Sequence, residues 1–183
     1  MAGFNPRRTE GGDSTGEVRD WIVTDSTELT LGDATRLTGG NNDQNLTIVA
    51  ATNRVLGVLI GFVDSNGLPL VAQHAYAYGG TYSGTPGSIG SETYTADSDN
   101  EATEHIKGRV IIDPRQEYYN DADADLAAGD DGNYMDVVAA SDQINVASLS
   151  ATAAQFMLME RDPDNDADAS KGIFRIAESM LSI

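Results

Sequence analysis

Val55-Leu-Gly-Val-Leu-Ile-Gly-Phe-Val63, between Arg54 and Asp64, is the long uncharged apolar run of a chain whose formal net charge is -18. Leu56, Val58, Ile60 and Phe62 occupy the even positions, and Val55, Gly57, Leu59, Gly61 and Val63 the odd ones. Both faces are apolar, so the segment has to be covered on both sides. Two glycines and three valines weaken a helix here, and turn residues bound its length. The reading is a central buried strand. Gly57 and Gly61 fall on one face, where they allow a bend or the close approach of another backbone.

Outward from this strand the chain alternates short β-like pieces with turn chemistry. Before it come 17–24, then 28–38 with a turn at Gly32-Asp33, the loop Gly39-Gly40-Asn41-Asn42-Asp43, and 46–52. After it, Ser65-Asn66-Gly67 closes the turn, and 69–78 reads as extended. Residues 79–100, rich in Gly, Ser, Thr and Tyr, read as a long flexible excursion. Residues 105–119 return to strand, with a kink at Asp113-Pro114. An acidic loop covers 120–133, and a short strand 135–139. Residues 148–154 are ambiguous between helix and coil. Strands at 155–160 and 171–176 flank an acidic turn at 161–170. Strands at roughly ten-residue spacing indicate an all-β, β-barrel-like or sandwich module. Residues 17–183 form one such domain. Residues 1–16, with four glycines and little apolar content, form an extended N-terminal arm.

The chain has 183 residues and no cysteine, which excludes disulfides, thiol chemistry and cysteine-ligated metal. Its start lacks the basic-then-apolar layout of a signal peptide, and nine apolar residues are too few to span a bilayer. Twenty-nine acids against eleven bases repel phosphate backbones and anionic lipid, so neither nucleic acid nor membrane is expected as a partner. The charge is uneven. Arg7, Arg8, Arg19, Arg36 and Arg54 lie within the first 54 residues, whereas 97–142 carries thirteen acids against Lys107, Arg109 and Arg115.

Catalytic chemistry finds little to work with. The histidines are His74 and His105, and Ser83 is not in a nucleophile elbow. No glycine spacing fits a phosphate-binding loop. Asp162-Pro-Asp164-Asn-Asp166-Ala-Asp168 opens like a calcium loop but has Ala167 and Ile173 where glycine and an acid are needed. Asp121-x-Asp123-x-Asp125 fails in the same way. No enzyme activity, metal or cofactor is expected. Tyr76, Tyr78 and Tyr82, beside or within the glycine-rich stretch, are candidate oligomer or surface contacts. In the arm, Phe4, Arg7 and Arg8 are candidate anchors on a partner.

Taken in order, several pieces resemble the head decoration (cement) proteins of tailed bacteriophages. These are the arm Gly3-Phe-Asn-Pro-Arg-Arg8, the segment Thr27-Glu-Leu-Thr-Leu-Gly-Asp-Ala-Thr-Arg-Leu37, and Arg54-Val-Leu-Gly-Val-Leu-Ile-Gly-Phe62. Val110-Ile-Ile-Asp-Pro114, Ala153-Ala-Gln-Phe-Met-Leu158, Arg161-Asp-Pro-Asp-Asn165 and Lys171-Gly-Ile-Phe-Arg-Ile176 follow. The resemblance implies a structural, non-enzymatic β module on the outside of the virion head. There it would bind a major capsid protein of the HK97 fold, usually as a homotrimer or dimer, and clamp the shell against internal DNA pressure. Phe4, Arg7 and Arg8 would anchor the arm, and removal of residues 1–16 would leave a folded protein that no longer decorates heads. The glycine-rich stretch 79–100 has no counterpart in the resemblance. A surface-exposed carbohydrate- or host-binding β module, using that stretch and its tyrosines, is the alternative.

Overall fold

The computed structural model describes residues 3–9, 16–38, 44–51, 53–138, 143–150, 154–161 and 169–177; the side chains of residues 8, 9 and 72–74 are outside this set. The loop at 39–43 and nearly all of the turn at 161–170 lie outside the described residues. Among the described residues the fold is all-β and sandwich-like, with three antiparallel sheets and no closed barrel.

The strands are β1 Asn5–Thr9, β2 Val18–Ile22, β3 Glu28–Thr30, β4 Ala34–Thr38, β5 Asn45–Ile48, β6 Gly57–Asp64 and β7 Thr81–Ser83. They continue with β8 Thr93–Thr95, β9 Ile106–Ile111, β10 Gln116–Asp121, β11 Tyr134–Val137, β12 Ile144–Ser150, β13 Phe156–Arg161 and β14 Lys171–Ile176. Two short helices, α1 Ala72–Ala77 and α2 Asn100–Thr103, complete the elements of the described residues. One sheet runs β1-β10-β14-β13-β11-β12, the second β2-β9-β6-β4-β5, and the third β3-β8-β7.

The Val55–Val63 run is the centre of the five-stranded sheet, as its two apolar faces require. Val55 and Val58 belong to the core shared with the six-stranded sheet. Leu56, Leu59 and Phe62 belong to the core shared with the three-stranded sheet. The expected alternation fails at one point. Leu59 pairs with Val110 and Gly61 with Arg109, so Ile60 is the extra residue of a bulge. The bulge reverses the parity of the strand, and Leu59 and Phe62, three apart, enter the same core. Gly57 makes the close approach anticipated for it, since a methyl group there would strike the Ile111 carbonyl oxygen. Gly61 does not: its added methyl would meet only Arg109 Cβ, at 3.9 Å.

The five-stranded sheet curls until its edges touch. Just past β2, Val23 bridges Leu46 of β5 in parallel, and Thr24 N–H donates to the Leu46 carbonyl (2.9 Å). Inside the curl, Gly108 leaves room for the Leu46 and Leu59 side chains that a Cβ would displace. The bridge touches at one point and does not close a barrel.

Four local expectations are corrected. Residues 69–78 do not stay extended: 72–77 form α1, whose Ala75 packs into the second core. The stretch 79–100 is not a loose excursion. It builds β7 and β8, which pair with each other, and β8 also pairs with β3. Tyr94 and Tyr82 supply the buried apolar mass that composition alone had assigned to a loop. Of the stretch 148–154, open between helix and coil, 148–150 belong to β12, and 151–153 lie outside the described residues. The arm is also not free over its described part, because 5–9 form β1 and pair with β10. The break at Asp113-Pro114 and the strand at 171–176 stand as expected.

Candidate functional site

The N-terminal segment was expected to hold the partner anchors, and it meets four other segments at one place. Phe4 is 0% exposed, stacked on Phe156 (4.3 Å between centroids, 16°) and edge-on to Tyr118 (6.0 Å, 86°). It is a core residue, so its assignment as a capsid anchor is corrected: a ring packed between two aromatics has no surface left to offer. Phe4 N–H donates to the Gly32 carbonyl (2.9 Å), and Gly32 N–H donates to the Leu59 carbonyl (2.8 Å). Gly32 sits at φ +95°, where a side chain would be strained. Next to it, Asp33 Oδ2 accepts the Thr30 N–H (2.7 Å) and fixes the turn.

Gln155, 0% exposed, joins the other side of this junction. Its Nε2 donates to the Ala50 and Asn53 carbonyls (both 2.8 Å), and its Oε1 accepts the Val137 N–H (2.9 Å). One amide therefore ties the six-stranded sheet to the turn that leads into the opening run.

Of the two arginine anchors, Arg7 is exposed on the edge strand β1, with its guanidinium carbon 5.7 Å from the Tyr119 ring centroid. Arg8 lies on the same strand, and its side chain is outside the described residues.

The three tyrosines named as surface contacts part company. Tyr76 is 63% exposed, and its hydroxyl donates to the Tyr82 carbonyl (3.2 Å). Tyr78 is half-buried and stacks on His105 (4.5 Å, 26°). Tyr82 is buried and donates to Glu92 Oε1 (2.8 Å), which corrects its assignment as a surface contact. Burial first, and then the bond to the Glu92 carboxylate, push the Tyr82 hydroxyl up to about 12. Glu92 also accepts the Gly87 N–H, so this buried carboxylate holds the loop between β7 and β8.

Several other charges among the described residues are paired. On the outer face of the five-stranded sheet, Arg109 grips Asp20 with two hydrogen bonds (2.9 and 3.1 Å) beside a shallow concavity of ≈ 500 Å³ lined by Val18, Arg19, Asp20, Ile60 and Arg109. The hydrogen bond to Asp20 raises the Arg109 value further. Burial opposes ionisation of Asp113, but bonds from the Arg115 side chain and backbone outweigh it and hold that carboxyl below its ordinary range. Asp99 is raised, chiefly by its hydrogen bond with Asp97 and then by the nearby negative charges of Asp97 and Asp25. Arg175 reaches Glu117 (3.2 Å) where both side chains are largely covered.

The acidic segment Asp121 to Asp125 has a structural use at its centre. Asp123 N–H donates to the Ile144 carbonyl (2.8 Å), and its Oδ1 accepts the Val146 N–H (2.8 Å), occupying the outer edge of β12. The other acidic run, 162–168, lies outside the described residues. Among the described residues, no group of three or more His, Asp or Glu is placed to hold a metal ion, and no helix is long and apolar enough to cross a membrane. His74 lies in α1 with its side chain outside the described set. No protein-family model, no curated protein and no solved structure matches the chain.

Proposed function

We propose that this chain is a structural decoration protein of a tailed-phage head. It binds the outer surface of a shell built from a major capsid protein of the HK97 fold, and it stabilises that shell against internal pressure. The observation that carries the reading is the convergence of the segments on which the resemblance rests. Gly3-Phe4, Gly32-Asp33, the Val55–Val63 strand, and Gln155-Phe156 are far apart in sequence. They are nevertheless joined by the Phe4–Gly32 and Gly32–Leu59 hydrogen bonds, the Phe4–Phe156 stack, and the Gln155 bonds to the turn before Arg54. Short motifs that meet in one packed unit behave as parts of one scaffold, which supports reading them as a set.

With Phe4 in the core, anchoring falls to the cationic edge of β1. Arg7 and Arg8 both lie on this edge strand of a strongly acidic protein, and guanidinium groups suit carboxylates on a shell subunit. Each contact can be modest, because many copies on one lattice add avidity. The protein would be made in the bacterial cytoplasm and reside on the virion surface, as a homotrimer or dimer.

The test is sedimentation with purified heads. The expected result is a fixed copy ratio to the shell protein, and loss of binding in Arg7→Glu/Arg8→Glu with an unchanged melting curve. Absence of the protein from purified heads would overturn the reading, while full binding by the charge-reversed variant would remove the anchor. A second reading, a carbohydrate- or host-binding module, draws on the exposed Tyr76 ring. A glycan array on which the protein binds and Tyr76→Ala does not would favour it.

A further inference from the structure

The hairpin of β4 and β5 turns a polar row towards the face that elsewhere carries the first core. Arg36 lies opposite Thr47 and Thr38 opposite Asn45, in an unbroken register from Thr35 to Thr38. Facing pairs two positions apart share one face of a ladder. That face begins with Ala34 and Val49, both in the core shared with the six-stranded sheet, where Val49 N–H donates to the Ala34 carbonyl (2.9 Å). The intervening Leu37, Leu46 and Ile48 pack into the opposite core. Arg36, Thr47, Thr38 and Asn45 therefore continue the row of Ala34 and Val49 with polar side chains.

The row is covered but not satisfied. Asn45 is 7% exposed and Thr47 9%, and neither side chain has a hydrogen bond to another described residue. Arg36 is half-buried, and its Nε is shut off from solvent with no acceptor among the described residues. A covered donor left without an acceptor is costly. The same atom has a carboxylate elsewhere in the fold: Nε of Arg19 donates to Glu17 (2.8 Å), that of Arg109 to Asp20 (2.9 Å) and that of Arg115 to Asp113 (3.3 Å). Thr38 fixes the end of the row, since its hydroxyl donates to the Asn45 carbonyl (3.2 Å) and meets the Thr24 hydroxyl (3.2 Å).

We infer that Arg36, Thr47 and Asn45 form a site for one small carboxylate. The guanidinium fork offers Nε and a terminal nitrogen to the two oxygens, as Arg109 does to Asp20. The Thr47 hydroxyl, directly opposite, and the Asn45 amide, one pair further on, are donors on the same face. Charge and access select the ligand. A net charge of -18 repels a dianion such as phosphate more strongly than a monoanion. A small planar ion reaches groups that are nine-tenths covered, whereas an acidic side chain of a macromolecule would bring its backbone against them. The inference concerns the free protein and does not rest on the capsid reading.

Acetate titrated into the isotope-labelled full chain tests it, with chloride exchanged for acetate at constant ionic strength and the arginine Nε–H resonances as the readout. The expected result is a saturable, millimolar shift of the Arg36 signal, which is assigned by its loss in Arg36→Lys. The Arg109 signal, already on Asp20, should not move. Thr47→Val should weaken binding at least about threefold, the effect of one lost hydrogen bond. In Arg36→Lys, followed on the backbone amides of β4 and β5, it should weaken at least about tenfold, because an ammonium lacks the fork. Melting curves check that both variants fold; if Arg36→Lys does not, Thr47→Val and the parent carry the test. Inorganic phosphate at equal concentration should shift the Arg36 signal less. Absence of a saturable Arg36 shift with acetate overturns the inference. So does an equal response to phosphate, a matching shift at Arg109, or Thr47→Val binding as tightly as the parent.

Discussion

Phe4 shows how far one side chain's role depends on where the chain takes it. Next to Pro6 and Arg7 in an otherwise polar segment, an aromatic ring has the chemistry of an anchor, and in the fold it is a core residue between Phe156 and Tyr118. Phe4→Ala should cost about 3–5 kcal/mol in equilibrium denaturation, the range for removing a buried aromatic ring. Removal of residues 1–16 should then destabilise the fold itself, contrary to what the sequence implied. A truncated protein as stable as the full chain would show that Phe4 contributes nothing to the core. Tyr82 and Glu92 make a similar case. Glu92→Ala strands the buried Tyr82 hydroxyl and frees the Gly87 N–H, with an expected loss of about 1–3 kcal/mol, whereas Tyr82→Phe with Glu92 intact should cost less. Equal losses in the two variants would mean that the hydroxyl, and not the held loop, is what matters.

At the scale of the element, β6 carries the sharpest contrast. Gly57 and Gly61 look equivalent in Val55–Val63, but the bulge at Ile60 turns them to different surroundings. Gly57→Ala forces a methyl group onto the Ile111 carbonyl oxygen and should destabilise by about 1–3 kcal/mol. Gly61→Ala has open space beside Arg109 Cβ and should change stability by less than about 0.5 kcal/mol. Thermal or denaturant melts of the two single variants decide this, and comparable losses would place the bulge elsewhere. The strand was legible because nine apolar residues between turn residues specify burial. The bulge was not, because it arises from how Arg109 and Val110 pair with the strand, and neither lies nearby in sequence. The stretch 79–100 was misread for a related reason. Its Gly, Ser and Thr content describes loose chain, yet Thr93–Thr95 is claimed by both β3 and β7, and long-range pairing overrides local composition.

At the scale of the molecule, charge dominates and gives a pH dependence whose sign can be worked out. The Asp99 value is raised in the folded state, so its ionisation at neutral pH opposes folding; that opposition is relieved as pH falls through the raised value. The Asp113 value is depressed, so its contribution is present above the ordinary carboxylate value of about 3.9 and is lost as pH falls below it. Tm should therefore rise as pH is lowered from 7 towards about 4, helped by falling net charge, and drop at lower pH. Asp99→Asn should have the higher Tm at pH 7 and converge with the parent at the acid end. A Tm that declines steadily from pH 7 downward would contradict this account of Asp99.

The sequence by itself determined the β class, most strand positions, the break at Asp113-Pro114 and the burial of Val55–Val63. These follow from alternation, β-branched content and turn residues, all of which act within a few positions along the chain. Only the tertiary structure decided that Phe4 belongs to the core, that Tyr82 is covered while Tyr76 is not, and that the glycine-rich stretch supplies two strands of a sheet. It also decided that the five-stranded sheet curls without closing. Each of these depends on which edges and faces meet across long separations: Phe4 to Phe156, Val23 to Leu46, Leu59 to Val110. Local propensity records that a residue favours a strand or a turn, but not which surface will arrive to cover it.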